Sequence, residues 1–287
     1  MKTLFSLLIF LFAIQTVHAA EGFEETMEDD PRLVRTSSSP DWLAAVGKFY
    51  VQNHDESYKA CSIILVSANS TDDARIGLSA GHCIRCWSNG GNDETREFDI
   101  EKHYIRFTTN DGSTIERQVM EVAAYQSSPG DYAILVLNKS IRNSDIQPLV
   151  HSDENFKTLL RDMDYHHEFK PFATAAGYST DITLGDKGKH LTYHEDCWLN
   201  GGPDARKDSR CTSYKGASGG AIEITVERSR SEWTDMDRGT EYLVVGIIQG
   251  GRDGHNESTF FTPWDYYDSN LRKAFKAYGF KRIVGDW

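Results

Sequence analysis

Gly130-Asp131-Tyr132-Ala133-Ile134-Leu135-Val136-Leu137 is the stretch on which the fold turns. The Gly-Asp pair marks a turn, and residues 133–137 then read as a short buried strand. Runs of the same kind recur at 62–66, 221–226 and 243–248, separated by clusters of Gly, Asn, Asp and Ser. Many short strands divided by turn signals predict an all-β barrel or sandwich from Trp42 onward. The C-terminal segment differs. Tyr267, Leu271, Ala274, Phe275 and Tyr278 fall at helical spacing with Lys273 and Lys276 off the stripe, which predicts an amphipathic α-helix packed on the body.

Working outward to the N-terminus, Lys2 opens a short positive region, residues 4–14 are apolar except for Ser6, and Val17-His18-Ala19 offers a cleavable end. This predicts a signal peptide over residues 1–19 and a secreted protein, extracellular or periplasmic. The apolar run is too short for a bilayer span. Residues 21–35 are acidic and poor in apolar side chains, and Ser37-Ser38-Ser39-Pro40 is a linker signal, so 20–39 reads as a pro-segment or flexible arm, trimmed after Arg35. The rest is long enough for two compact halves, 40–150 and 151–287, joined near residues 141–151.

The chain carries 31 basic and 43 acidic side chains, a formal net charge of −12. An acidic surface with no basic stripe argues against nucleic acid and anionic membrane as partners. Export makes the cysteines at 61, 83, 86, 197 and 211 candidates for disulfides. Their odd number leaves at least one unpaired, and spacing alone does not assign the bridges.

Three local patterns carry chemistry: Leu78-Ser79-Ala80-Gly81-His82-Cys83, the stretch with Asp131 quoted above, and Lys215-Gly216-Ala217-Ser218-Gly219-Gly220-Ala221. They supply a His, an Asp and a Ser in that order. A serine hydroxyl is a poor nucleophile at neutral pH unless an imidazole takes its proton. The imidazole in turn needs a buried carboxylate to fix its tautomer and to stabilise it once charged. The oxyanion of the tetrahedral intermediate needs N–H donors already aimed at it, and Gly216 and Ser218 are placed to give them. Each pattern alone is as readily a structural His, a turn or a Gly-rich loop. Their conjunction, each beside an apolar run, points to acyl transfer.

Together these motifs resemble the trypsin/chymotrypsin-fold serine proteases over most of residues 40–280. The resemblance implies two antiparallel six-stranded β-barrels, 40–150 and 151–287, with the active site in the cleft between them and the terminal helix on the second. It implies His82 as general base and acid, Asp131 as its orienting carboxylate, Ser218 as nucleophile, and a Cys61–Cys83 bridge beneath the His. Cys197 and Cys211, upstream of Ser218, are similar in spacing to those of secreted bacterial glutamyl-endopeptidase-like members. That implies a Cys197–Cys211 bridge and leaves Cys86 as the odd thiol. Such an enzyme takes polypeptide substrates and protease inhibitors as partners, acts as a monomer, and needs no cofactor and no metal.

The sequence departs from the animal digestive members in two linked ways. Ala217 stands where they carry an Asp, and no Ile-Val-Gly-Gly occurs near residues 20–45 to pair with it. Pocket residues are implied at Thr212, Ser213, Lys215, Ile248, Gln249, Gly250, Gly251 and Thr259. Thr212 falls at the pocket base and is not acidic, Ile248 stands where glutamyl-specific members carry a His, and Thr259 replaces a pocket-opening Gly. These describe a shallow, partly polar pocket whose side-chain preference stays open, with Lys215 or His255 available to an acidic group. Gly250 and Gly251 belong to a strand that resembles the one pairing with substrate backbone.

Two rival readings stand beside this one. His190, His194 and Cys197, with His166-His167 nearby, have ligand-like spacing for a metal, although a bridged Cys197 is not free to bind one. A catalytically silent binding module on the same fold is the other, since fold alone does not guarantee chemistry.

Overall fold

A computed structural model describes residues 28–52, 58–84, 102–151, 172–200, 207–228, 239–252 and 255–279. The predicted leader over residues 1–19, Cys86, His166 and His167, and the His255 side chain lie outside what is described. The strands are β1 (Leu33–Val34), β2 (Val46–Gln52), β3 (Tyr58–Ser67), β4 (Ala74–Ser79), β5 (Tyr104–Thr108), β6 (Thr114–Gln126) and β7 (Tyr132–Ile141). They continue with β8 (Leu149–His151), β9 (Phe172–Gly177), β10 (Thr192–Asn200), β11 (Lys207–Ser209), β12 (Ala221–Arg228), β13 (Gly239–Arg252) and β14 (His255–Pro263), followed by helix α1 (Asp268–Ala274).

Two closed antiparallel barrels follow from the pairing. In the first the order is β3-β2-β5-β6-β7-β4, and β4 returns to β3. In the second it is β12-β9-β10-β11-β14-β13, and β13 returns to β12. Strand β8 lies parallel to both β3 and β13 and joins the barrels. Six strands leave room inside only for side chains, so each barrel is filled. Close packing is visible at Gly47, where a Cβ would stand 2.7 Å from the Phe107 ring.

The apolar runs become the most enclosed strands. Residues 133–137 of β7 and 61–67 of β3 are buried on both faces. Strand β6, richer in charged residues, alternates between exposed and half-buried along its first half, with one side to solvent. The helical stripe docks as its spacing predicts: Tyr267, Leu271, Ala274 and Phe275 are buried. The α-helix itself is short and widens into a π-turn over Phe275–Gly279. Asp268 at its start accepts from His151 Nε2 at 2.6 Å, which ties the helix to the joining strand.

Residues 30–35, whose composition reads as part of a flexible arm, pack on the second barrel. Strand β1 pairs with β10 through Leu33↔Tyr193 and Val34↔Thr192. Arg35 Nη1 donates to the Thr108 carbonyl of the first barrel at 2.7 Å. The disulfides are Cys61–Cys83 and Cys197–Cys211, as the resemblance implied.

Candidate active site

His82 sits in a 3₁₀ turn, Gly81–Cys83, at the end of β4. The turn presses against β6: a Cβ on Gly81 would lie 2.2 Å from the Gln126 carbonyl oxygen, so only glycine fits. Cys83 is bridged to Cys61 of β3, which fastens the turn from beneath. Asp131 ends the turn before β7 and holds His82 twice. Its Oδ1 accepts from the His82 backbone N–H at 2.7 Å, and its Oδ2 lies 2.5 Å from His82 Nδ1. A carboxylate on Nδ1 makes that nitrogen the protonated one and leaves Nε2 as the basic nitrogen.

The second barrel steadies this pair. Thr262 Oγ1 accepts from the Asp131 N–H at 3.1 Å and lies 3.0 Å from the Asp131 carbonyl oxygen. Gln249 Nε2 donates to the same Thr262 hydroxyl at 2.6 Å.

Ser218 lies on the loop between Tyr214 and β12. Gly216 and Gly219 have φ of +88° and +85°, which favours glycine, and a Cβ on Gly219 would stand 2.1 Å from the Ser62 carbonyl oxygen. The loop is anchored across the seam: Ser62 N–H of β3 donates to the Ser218 carbonyl at 2.7 Å. That carbonyl also lies 3.8 Å from Cys83 Sγ, so the backbone of Ser218 abuts the residue next to His82. On the other side Gly219 N–H donates to the Ile248 carbonyl at 2.7 Å. The Ser218 hydroxyl donates to the Gln249 carbonyl at 3.0 Å, and no hydrogen bond among the described residues joins it to His82. Passing its proton to the imidazole requires the hydroxyl to turn away from Gln249.

The Gly216 and Ser218 N–H groups donate to nothing among the described residues. The peptide that carries the Gly216 N–H is fixed from its other end. The Lys215 carbonyl accepts from Thr180 N–H at 2.6 Å and from Thr180 Oγ1 at 3.0 Å. The Gly216 carbonyl accepts from Ser62 Oγ at 3.0 Å.

Of the expected pocket residues, Thr212, Ser213 and Thr259 are brought together and buried. Thr259 Oγ1 donates to the Cys211 carbonyl at 2.7 Å and lies 2.8 Å from Ser213 Oγ. Gly250 and Gly251 of β13 pair with Phe260 and Thr259. Ile248 is wholly buried and Lys215 is exposed. The three residues of the metal reading are engaged elsewhere. Cys197 is bridged, His190 Nδ1 lies 3.2 Å from the Leu184 carbonyl, and His194 Nδ1 accepts from Thr212 N–H at 2.9 Å. Burial holds the His194 imidazole below its ordinary pKa. Residues the sequence reading did not single out are Ser62, Thr180 and Thr262, single polar side chains in apolar or turn contexts that give no signal before the barrels meet.

No family model matches the chain, and no curated protein matches it. Solved structures do. GrC superposes with a TM-score of 0.55 at 14% identity, covering 83% of this chain and 96% of GrC. The protease Anisep from Arthrobacter nicotinovorans superposes with a TM-score of 0.52 at 14% identity, over 82% of this chain and 98% of Anisep. The thermostable serine protease AL20 from an extremophilic microorganism gives the same score, identity and coverages. The chain therefore has the trypsin/chymotrypsin fold: all-β, with two six-stranded barrels and a short C-terminal helix.

Proposed function

We propose that the protein is a serine endopeptidase working through an acyl-enzyme. The reading rests on one observation above all, the two hydrogen bonds between Asp131 and His82 at a seam where Ser218 is anchored. In this scheme Ser218 Oγ attacks the scissile carbonyl while His82 Nε2 takes its proton. Asp131 stabilises the imidazolium that forms, and the Gly216 and Ser218 N–H groups receive the oxyanion. His82 then gives the proton to the leaving amine. Water, deprotonated by the same imidazole, releases the acid and restores the serine. Thr212, Ser213 and Thr259 form the base of a shallow polar pocket, with Gly250 and Gly251 along the substrate backbone. Substrates are polypeptides, and the two disulfides support a place outside the cytoplasm. The division into a leader over 1–19, an arm over 20–39 and lobes over 40–150 and 151–287 belongs to the same proposal.

A second reading, a silent binding module, has one observation in its favour: the Ser218 hydroxyl is engaged by Gln249. A fluorophosphonate probe separates the two. Covalent labelling that disappears in Ser218→Ala is the expected result. A folded wild type that stays unlabelled and cleaves no member of a diverse peptide library would overturn the peptidase.

A further inference from the structure

The most deeply buried ionic cluster among the described residues lies outside the triad, on the arm. Arg32 Nη2 bonds Asp30 Oδ2 at 2.6 Å and Nη1 bonds Asp181 Oδ2 at 2.9 Å. The Arg32 and Asp181 side chains are 1% and 0% exposed, so this is no solvated surface pair. The guanidinium carbon also lies over the Tyr214 ring, 4.1 Å from its centre. Desolvating a cation and two carboxylates is a poor route to stability. What it fixes is where two loops lie relative to each other.

Both loops lead to one peptide. The Asp181 carboxylate organises the first: its Oδ1 accepts from Gly185 N–H at 3.0 Å and Thr183 N–H at 3.2 Å. Burial pushes the Asp181 carboxyl up, but the Arg32 and Gly185 bonds outweigh it and hold the group below the usual carboxylate range. Thr180, its chain neighbour, binds the Lys215 carbonyl through both N–H and hydroxyl. Tyr214, under the guanidinium, is the other chain neighbour of Lys215, and its carbonyl accepts from Ala217 N–H at 3.1 Å. In a trans peptide C=O and N–H point in opposite directions. Holding the Lys215 carbonyl on Thr180 therefore holds the Gly216 N–H pointing the other way.

We propose that Arg32 is a positioning residue: docked through β1, it locks the Lys215–Gly216 peptide so that the Gly216 N–H stays aimed at the oxyanion. This rests on the peptidase reading and gives Ala217, which lacks a carboxylate of its own, an anchor from a different part of the chain. It also means that a cut after Arg35 frees the segment bearing Arg32 from its covalent link to the body.

The test uses the full-length chain in three forms. They are the wild type, Arg32→Met/Asp181→Asn, which leaves neither member of that pair charged, and Arg32→Lys, which keeps the cation but loses the planar fork. Two readouts are taken: kcat and KM on a peptide amide, and amide hydrogen exchange over residues 212–220. Losing one oxyanion donor outright costs about 10²–10³ in kcat, so loosening it in the double variant is expected to cost about 10-fold or more, with KM within about twofold. Exchange over 212–220 should quicken, and Arg32→Lys should fall between. Folded variants with wild-type kcat and unchanged exchange overturn the proposal, as does a loss fully explained by a smaller folded fraction. If the double variant does not fold, Arg32→Lys decides, and full activity in it overturns the assignment. A wild type without turnover defeats the peptidase reading instead. Quickened exchange in the variants would then still support the mechanical link from Arg32 to the loop.

Discussion

The two barrels hold their shares of the site by different means. The first carries His82 and Asp131 close to strand ends, joined by two direct bonds and backed by a disulfide. The second offers Ser218 on a glycine-bearing loop held by contacts with other elements: Ser62 from the opposite barrel, Ile248 and Gln249 from β13, and Thr180 backed by Arg32. His82 and Asp131 are thus joined within one barrel, and the other adds only the Thr262 brace on the Asp131 backbone. The placement of Ser218 and of the Gly216 N–H depends on how the barrels and residues 30–35 meet. Damage to the first half should appear in the chemical step alone, and damage to the second in a mixture of rate and stability.

The largest effect is expected in the first barrel's pair. Asp131→Asn keeps the shape but offers Nδ1 an amide in place of a carboxylate, which leaves the imidazole with the wrong tautomer and an unstabilised cation. Turnover of a peptide amide should fall about 10⁴-fold with little change in melting temperature. A fall of less than about tenfold in kcat would break the comparison, because His82 would then not depend on its partner.

A smaller effect, confined to stability, is expected within the second barrel. Glu223 of β12 is 1% exposed, and burial with the nearby Glu195 charge pushes its carboxyl up to about 8 against a bond from Thr225. The folded protein then keeps a proton to about pH 8 that the unfolded chain releases near its ordinary value of 4.5. Between those limits the folded state binds more protons, so stability falls as pH rises, by something on the order of a few kcal/mol in total. Above about pH 8 the curve flattens. Glu223→Gln, which cannot ionise, should remove that slope. Urea midpoints at intervals from pH 5 to 9 check it, and equal slopes in both proteins would mean that Glu223 is already charged in the fold.

The parts of this arrangement legible in the sequence are those that one segment encodes. Residues 133–137 lie in the first half of β7, and 62–66, 221–226 and 243–248 lie in β3, β12 and β13, because an unbroken apolar run belongs to an enclosed strand. His82, Asp131 and Ser218 stand out because each borders such a run or sits among glycines. Arg32 does not stand out. It follows the acidic run Glu28-Asp29-Asp30, and the same carboxylates that make residues 21–35 read as solvated include the Asp30 that neutralises it in the interior. Thr262 and Ser62 are hidden for another reason. Each lies within a strand of one barrel, and the partner that ties it to the site comes from the other, more than a hundred residues away. Alternation along a strand records which side is buried and carries no trace of what is met there.

Ser62 offers the smallest effect and the sharpest test of the second half. Its hydroxyl accepts from Tyr178 N–H at 2.8 Å and donates to the Gly216 carbonyl at 3.0 Å, while its backbone N–H holds the Ser218 carbonyl. Ser62→Ala removes only the hydroxyl. The buried Tyr178 N–H then loses its acceptor, at about 1–3 kcal/mol of stability, and the Gly216 carbonyl loses a donor. Ser79 is the matched control. Its hydroxyl donates to the Ser62 carbonyl at 2.8 Å, is equally buried, and has no bond to Gly216. Both alanine variants should melt lower. Only Ser62→Ala should also lose turnover, by about three- to tenfold at unchanged KM, since a looser Gly216 weakens what is met in the transition state and not in the bound substrate. Equal turnover in the two variants would mean that the loop keeps its shape without the first barrel's hydroxyl, and that the second barrel is as self-sufficient as the first.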